Sequence, residues 1–292
     1  MKFVILFLFT ATSVFSQDND LIIHKKLNLN DVLRFDNVFE EALKKNIKSD
    51  SVRINFIVNE NCKIENFEIE KECVRSVYKI SDFKSQEEAE QNTRKIIFPY
   101  SILKGVATPI QEKDFKLKFP KCYSYLLTEK ERLINRDKGK VNFEPFYVWG
   151  RTQGLTKIGK KILNPTFSQK PRFLLVNEEE SFFTNGYGLF FREQTPMGLF
   201  EELINPITKS ENIDVVQKIL NSIVMDYYVT KTSVAIEGGY PCYQKNFIEN
   251  FTIPDLTIEE INLIRQLANQ DDVDEFLINK YQLNLPTPNL AV

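Results

Sequence analysis

Apolar residues at helical spacing are clearest in the second half of the chain. Between Asp214 and Tyr228 they recur every three or four positions, at Val216, Leu220, Ile223 and Tyr227. Such spacing places them on one face of a helix, with polar residues opposite. The pattern predicts one amphipathic helix packed on a core.

Two further helices are indicated by their first residues. Pro120 precedes a segment whose apolar residues fall near one face, and proline is favoured at a first helical turn. Thr257 and Glu260 have the spacing of a capping box, in which each side chain accepts from the other residue's backbone N–H. The segment 82–95 is polar with helix formers at its centre.

Alternation of apolar and polar residues predicts strands in the first third of the chain. Ser51–Asn59 alternates well, and Ile64–Ile69 follows a turn-forming Asn-rich break, so the two are predicted to pair as a hairpin. Ile96–Tyr100 predicts another short strand. Strands mixed with packed helices predict an α+β fold without a complete Rossmann-type catalytic domain.

A composition shift at Gly139–Glu144 is the best candidate boundary. It suggests four parts. These are an N-terminal segment (1–60), a connecting α/β region (61–140), a third domain (141–282) and a loose tail (283–292).

The first residues allow two interpretations. Lys2, the apolar run Phe3–Phe9 and the small residues up to Ser16 are typical of a secretory leader. The same run, taken as Phe3–Thr10, could instead be a buried strand, either in its own right or as the remnant of a catalytic domain. It is too short for a transmembrane helix, so no membrane partner is expected.

Charge and composition exclude several classes of function. The 38 basic and 40 acidic side chains leave a net charge of -2, so any nucleic-acid site must come from local clustering. The single histidine, His24, argues against Ser-His-Asp and Cys-His hydrolases. The four cysteines form no C-x-x-C pair, so we expect reduced, mostly buried thiols and no metal site.

One segment, residues 147–173, is basic throughout and has no acidic residue. Glycines and the aromatic residues Tyr147, Trp149 and Phe167 interleave with its charges. Lysines neutralise phosphates, whereas the forked donors of Arg151 and Gln153 suit guanine and adenine edges. The pattern predicts either a DNA contact or a solvated basic loop.

The order of motifs in this part of the chain resembles the TaqI-like specificity domain of type II adenine-specific DNA methyltransferases. The most specific matches are GRTQ at 150–153 and GGYPCYQK at 238–245. Further matches include IIFPY at 96–100, KKILNPTFSQKPRF at 160–173 and FFTNGYGLFF at 182–191. The resemblance extends from about Phe67 to about Leu267.

This resemblance implies recognition of double-stranded DNA within a restriction-modification system. In that family a separate catalytic domain flips out the adenine and methylates it with S-adenosylmethionine. The N-P-P-Y motif of that chemistry is missing here, because Asn164-Pro165 is followed by Thr166 and Phe167. We therefore expect no catalytic residue, no metal and no cofactor in this chain, with S-adenosylmethionine bound by a missing domain or a separate methyltransferase polypeptide.

Two glycine-containing segments are interpreted as turns. Asn185-Gly186-Tyr187-Gly188 lacks the full G-x-G-x-x-G spacing of a nucleotide-binding loop, and Gly238-Gly239 marks a tight turn. Residues in both segments are nevertheless candidates for DNA contact. The complete set of candidates is Arg151, Gln153, Lys157, Lys160, Lys161, Lys170, Arg172, Asn185, Tyr187, Tyr240, Gln244 and Lys245.

Two functions therefore remain open. The first is a cytoplasmic DNA-recognition module, inactive in methyl transfer when alone, that is either a gene fragment or a separate subunit. The second is an exported, non-enzymatic envelope or interaction protein whose leader ends near Ser16.

Overall fold

The computed structural model describes residues 27–29, 33–36, 57–58, 63–64, 67–150, 152, 154–192, 205–236 and 238–285. The predicted leader or strand at Phe3–Thr10 lies outside the described residues. Short sheets and packed helices alternate along the described chain, so the predicted α+β mixture is confirmed at that level.

The strands are β1 (Leu27–Asn28), β2 (Leu33–Asp36), β3 (Ile57–Val58), β4 (Lys63–Ile64), β5 (Phe67–Glu68), β6 (Val74–Lys79), β7 (Lys95–Ile97), β8 (Tyr100–Leu103), β9 (Val106–Pro109), β10 (Lys161–Asn164), β11 (Leu174–Val176), β12 (Phe182–Thr184), β13 (Tyr187–Phe191) and β14 (Thr252–Ile253). The α-helices are α1 (Gln86–Glu90), α2 (Glu112–Lys118), α3 (Pro120–Thr128), α4 (Lys130–Ile134), α5 (Ile213–Leu220), α6 (Ile223–Thr232), α7 (Lys245–Ile248), α8 (Ile258–Gln266) and α9 (Gln270–Lys280). Short 3-10 helices span Lys71–Cys73, Ile80–Asp82, Arg136–Gly139, Pro206–Thr208 and Ser210–Asn212.

Two four-stranded sheets organise the described chain. The first has the order β11-β10-β13-β2 and is antiparallel throughout. The second has the order β12-β6-β7-β3, with β12 parallel to β6. Strands β4-β5 and β8-β9 form separate hairpins, and β1 pairs with β14.

Strand pairs join parts of the chain that are far apart in sequence. Strand β2, from the N-terminal segment, pairs with β13, with Leu189 opposite Phe35. Strand β12 pairs with β6 across the composition shift at 139–144, with Phe183 opposite Tyr78. The described sheets therefore include strands from both sides of that shift.

The largest core lies between the first sheet and the C-terminal helices. Helix α5 buries Ile213, Val215, Val216, Ile219 and Leu220 against residues of α6, α8, α9 and strands β10 and β13. A second core surrounds α3, whose Leu126 is fully buried together with Tyr147. Burial of this apolar surface is the main source of stability.

Helix starts follow the predicted local chemistry. Helix α3 begins at Pro120, and α8 begins with the predicted capping box between Thr257 and Glu260. The predicted single helix from Asp214 to Tyr228 is wrong. It is two helices, because the buried hydroxyl of Ser222 accepts from the Met225 N–H and starts α6.

The predicted pairing of Ser51–Asn59 with Ile64–Ile69 is also wrong. Strand β3 pairs with β7, Ile57 lying opposite Ile96, whereas β4 and β5 pair with each other. The apolar residues of β3 thus find a partner strand remote in sequence rather than the next one along the chain.

Candidate nucleic-acid interface

The two segments that carry the specific motifs are joined by backbone hydrogen bonds. Phe167 forms a β-bridge with Cys242, and the Tyr243 N–H donates to the Thr166 carbonyl at 2.8 Å. The buried Asn164 side chain donates to the Tyr243 carbonyl at 3.0 Å. Residues 164–168 and 241–243 therefore lie side by side.

A tight turn projects directly after α6. Ala235 forms a bridge with Pro241, and Gly238 and Gly239 have φ of 92° and 76°. Such backbone angles favour glycine because a Cβ would clash with the backbone. Two apolar side chains at this turn are exposed, Val234 by 58% and Ile236 by 44%.

Aromatic and basic side chains flank this turn. Tyr240 is 39% exposed, and the Lys231 ammonium lies 5.6 Å from the ring centroid of Tyr227. Lys170 is exposed two residues after Ser168, whose N–H donates to the Pro241 carbonyl. We call Lys170, Lys231, Val234, Ile236 and Tyr240 the turn surface.

Sequence reasoning missed three members of this surface. Lys231, Val234 and Ile236 were not among the candidate contacts, although apolar residues beside a Gly-Gly turn are a recognisable signal. Exposed apolar residues next to basic ones are typical of contact surfaces.

An acidic carboxyl, that of Asp226 on α6, accepts a hydrogen bond from Tyr243. Burial raises the pKa of Asp226, while the Tyr243 hydroxyl, 3.3 Å away, and the positive charge of Lys170 oppose that rise.

We expected Lys161 to contact a DNA phosphate, but the structure places its side chain inside the protein. Its side chain is fully buried, and its ammonium donates to the Glu178 and Glu179 carbonyls and to the Ser181 hydroxyl. Burial lowers the pKa of Lys161 to about 8, which the charges of Glu178 and Glu179 partly oppose. Every donor of this ammonium is used within the protein.

Three aromatic residues of the candidate segments are also mostly internal, and this corrects the expectation that Tyr187 contacts DNA. Tyr147 is fully buried, donates to the Ile110 carbonyl and stacks on Phe115 at 4.8 Å. The Trp149 indole donates to the Ile97 carbonyl at 3.1 Å. Tyr187 is 2% exposed and belongs to the main core.

An acidic turn lies against the first half of the basic segment. The Gly159 N–H donates to the Glu179 carbonyl at 3.2 Å, which brings residues 178–180 next to Lys157 and Lys160. Lys160 and the three glutamates are exposed, and Lys157 is half-buried. Acidic residues therefore lie beside this end of a segment that is purely basic in sequence, although the Glu180 carboxylate pairs with Arg75.

The remaining candidates have contacts of their own. Arg172 is half-buried near Glu88, and burial lowers its pKa. Asn185 is exposed at a turn with φ of 65°. The Gln244 carbonyl accepts the first bonds of α7, and the Lys245 ammonium lies 3.6 Å from Glu249. Arg151 and Gln153 lie outside the described residues.

Two further features of the described residues concern metals and membranes. No group of three or more His, Cys, Asp or Glu side chains there is placed to hold a metal ion. Within the same residues, no helix combines the length and the apolar character needed to cross a membrane.

No family model matches the chain, and no curated protein matches it.

Proposed function

We propose that this chain binds double-stranded DNA through the turn surface and carries no methyl-transfer chemistry of its own. The observation that carries the proposal is the bridge between Phe167 and Cys242. It joins the basic segment to the Gly-Gly turn, so that lysines and exposed apolar groups lie on adjoining segments.

The chemistry of these side chains suits a polyanion. Lys170 and Lys231 are exposed ammonium groups that can neutralise phosphates. Tyr240, Val234 and Ile236 project from a narrow turn that can approach base edges or thymine methyl groups. On this proposal the lysines position the chain and the turn provides what selectivity it has.

The proposal assigns methylation to another polypeptide. S-adenosylmethionine and the adenine pocket belong to that partner, within a restriction-modification system. Incubation of the purified chain with labelled S-adenosylmethionine and mixed duplex DNA is expected to give no methyl transfer, and transfer by the chain alone would contradict this part.

The direct test is binding of the full chain to a fluorescein-labelled duplex, followed by anisotropy. We expect affinity to fall steeply between about 50 mM and about 200 mM salt. Lys170→Ala should weaken binding to all sequences and reduce the salt slope by about 1. Lys116→Ala, an exposed lysine on α2, is the matched control and should leave both unchanged.

Two results would overturn DNA binding. One is the absence of any binding with the catalytic partner present. The other is binding that does not change with salt, since phosphate contacts always release counterions.

A second function is favoured by a different surface. Leu103 and Val106, at the tip of the β8-β9 hairpin, are 69% and 59% exposed, and Leu117 on α2 is 81% exposed. A groove of about 380 Å³ separates this hairpin from α2. Such a surface suits an exported interaction protein, whose leader lies outside the described residues.

Mass spectrometry of the native protein distinguishes the exported protein from the cytoplasmic DNA-binding protein. Export predicts a mature N-terminus at Gln17, whereas the cytoplasmic proposal predicts intact Met1.

A further inference from the structure

Two buried cysteines from distant parts of the chain share one core. Cys73 ends a 3-10 helix directly before β6, and Cys122 lies in the first turn of α3. Both are fully buried and belong to the cluster that contains Leu126 and Tyr147. Neither is bonded to another cysteine in the structure.

One residue, Glu70, forms hydrogen bonds with both cysteines. Its carboxylate accepts from the N–H groups of Lys121 and Cys122, each at 2.9 Å. Its carbonyl accepts from the Cys73 N–H at 3.3 Å and from the Cys73 thiol at 3.1 Å. Both cysteines are therefore hydrogen-bonded to the same residue, Cys122 through the Glu70 carboxylate and Cys73 through the Glu70 backbone carbonyl.

The Cys73 thiol also affects the titration of Cys122 within this shared core. Two causes raise the pKa of Cys122 well above its ordinary value. The larger is hydrogen bonding with the Cys73 thiol, and the second is burial. A buried, protonated thiol reacts slowly with disulfides. Any bond between the two would therefore form while the chain folds and the thiols are still accessible.

We propose that Cys73 and Cys122 form a disulfide when this chain folds in an oxidising environment. The two thiols each lose a proton and together lose two electrons, and a disulfide oxidant such as oxidised glutathione accepts them to become two thiols. The new S–S bond would link α3 to the start of β6 and close a loop of about 50 residues. It would revise the expectation that all thiols stay reduced.

The test is oxidative refolding of the full chain. Reduced, denatured protein is refolded in a mixture of reduced and oxidised glutathione, free thiols are alkylated, and the peptides are mapped by mass spectrometry. We expect Cys73 linked to Cys122, with Cys62 and Cys242 alkylated. Alkylation of both Cys73 and Cys122, or their linkage to Cys62 or Cys242, would overturn the proposal.

Thermal unfolding provides a second measurement. The oxidised protein should melt about 5–10 °C above the reduced protein. This difference should vanish in Cys122→Ser and persist in Cys242→Ser, since Cys242 is equally buried but is a member of neither this core nor the Glu70 contacts. If Cys122→Ser does not fold, Cys73→Ala replaces it, and the peptide map of the unaltered chain decides in either case.

Discussion

The ammonium nitrogen of Lys161 lies 2.8 Å from the hydroxyl oxygen of Ser181, inside the protein. The same ammonium donates to the carbonyls of Glu178 and Glu179, each at 3.0 Å. The acidic turn is thus fixed to β10 by one buried cation. The contact accounts both for the loss of Lys161 from the surface and for the position of the glutamates beside the basic segment.

Removing the Ser181 hydroxyl should destabilise the fold. In Ser181→Ala the buried ammonium loses an acceptor, and hydrogen bonds to charged groups contribute about 1.5–3 kcal/mol. We expect a loss of that size in the free energy of unfolding, measured by urea denaturation. Ser124→Ala, at an exposed position on α3, should change it by less than about 0.5 kcal/mol. Equal effects of the two substitutions would show that the contact contributes nothing.

Lys161 should make stability depend on pH in the alkaline range. Its pKa is about 8 in the folded chain, against an ordinary value of 10.5. Between these values the unfolded chain binds the proton and the folded chain does not, so the free energy of unfolding should rise with pH. The penalty for burying the charged form is fully present below pH 8, and the slope is at most about 1.4 kcal/mol per pH unit.

This rise is measured by urea denaturation between about pH 7.5 and pH 10 for the unaltered chain and for Lys161→Met. Other titrating groups are common to both proteins and cancel in the difference. Parallel pH profiles would show that the pKa of Lys161 is the same in the folded and unfolded chains.

Glu70 should stabilise the start of α3. Its carboxylate accepts two N–H groups of the first helical turn, which have no partner within the helix. Glu70→Ala should therefore lower the free energy of unfolding by about 1–2 kcal/mol. Glu72→Ala, an exposed neighbour, is the control. A larger loss in Glu72→Ala than in Glu70→Ala would contradict this role.

The connection between β12 and β13 should not tolerate a side chain at Gly186. A Cβ there would clash with the Asn164 backbone carbonyl and with Ile80. Because the carbonyl cannot move without breaking β10, Gly186→Ala should destabilise the chain by more than about 2 kcal/mol. Gly150→Ala has its nearest neighbour at 3.8 Å and should have little effect. Thermal melting of the two variants side by side makes the comparison.

Local signals in the sequence predicted the helix starts well. Pro120 and the Thr257–Glu260 pair act within one turn of chain, and they stand in the structure as expected. The break at Ser222 also has a local signal. A serine there can accept a hydrogen bond from the backbone N–H three residues later, that of Met225. The apolar periodicity continues through Ser222 and conceals it, since both helices bury residues in the same core.

Partners remote in sequence were not predictable in the same way. Strand β3 pairs with β7, and β12 lies parallel to β6. A strand can pair with any strand that packs well against it, whatever their separation in sequence. The candidate site changed for the same reason. Lys161 and Tyr187 belong to segments that pack inwards, and the glutamates at 178–180 reach the basic segment only through the fold.

The order of residues is sufficient to specify the α+β mixture, the helix caps, the glycine turn at 238–239 and a local excess of lysine and arginine. These depend on interactions between neighbours in the chain, whose distances are set by covalent geometry. Which basic side chains reach solvent, which residues bind Glu70 and which residues bind Glu178 depend on contacts between segments about 20 to 100 residues apart. Packing determines those contacts, because burial of apolar surface does not depend on sequence separation.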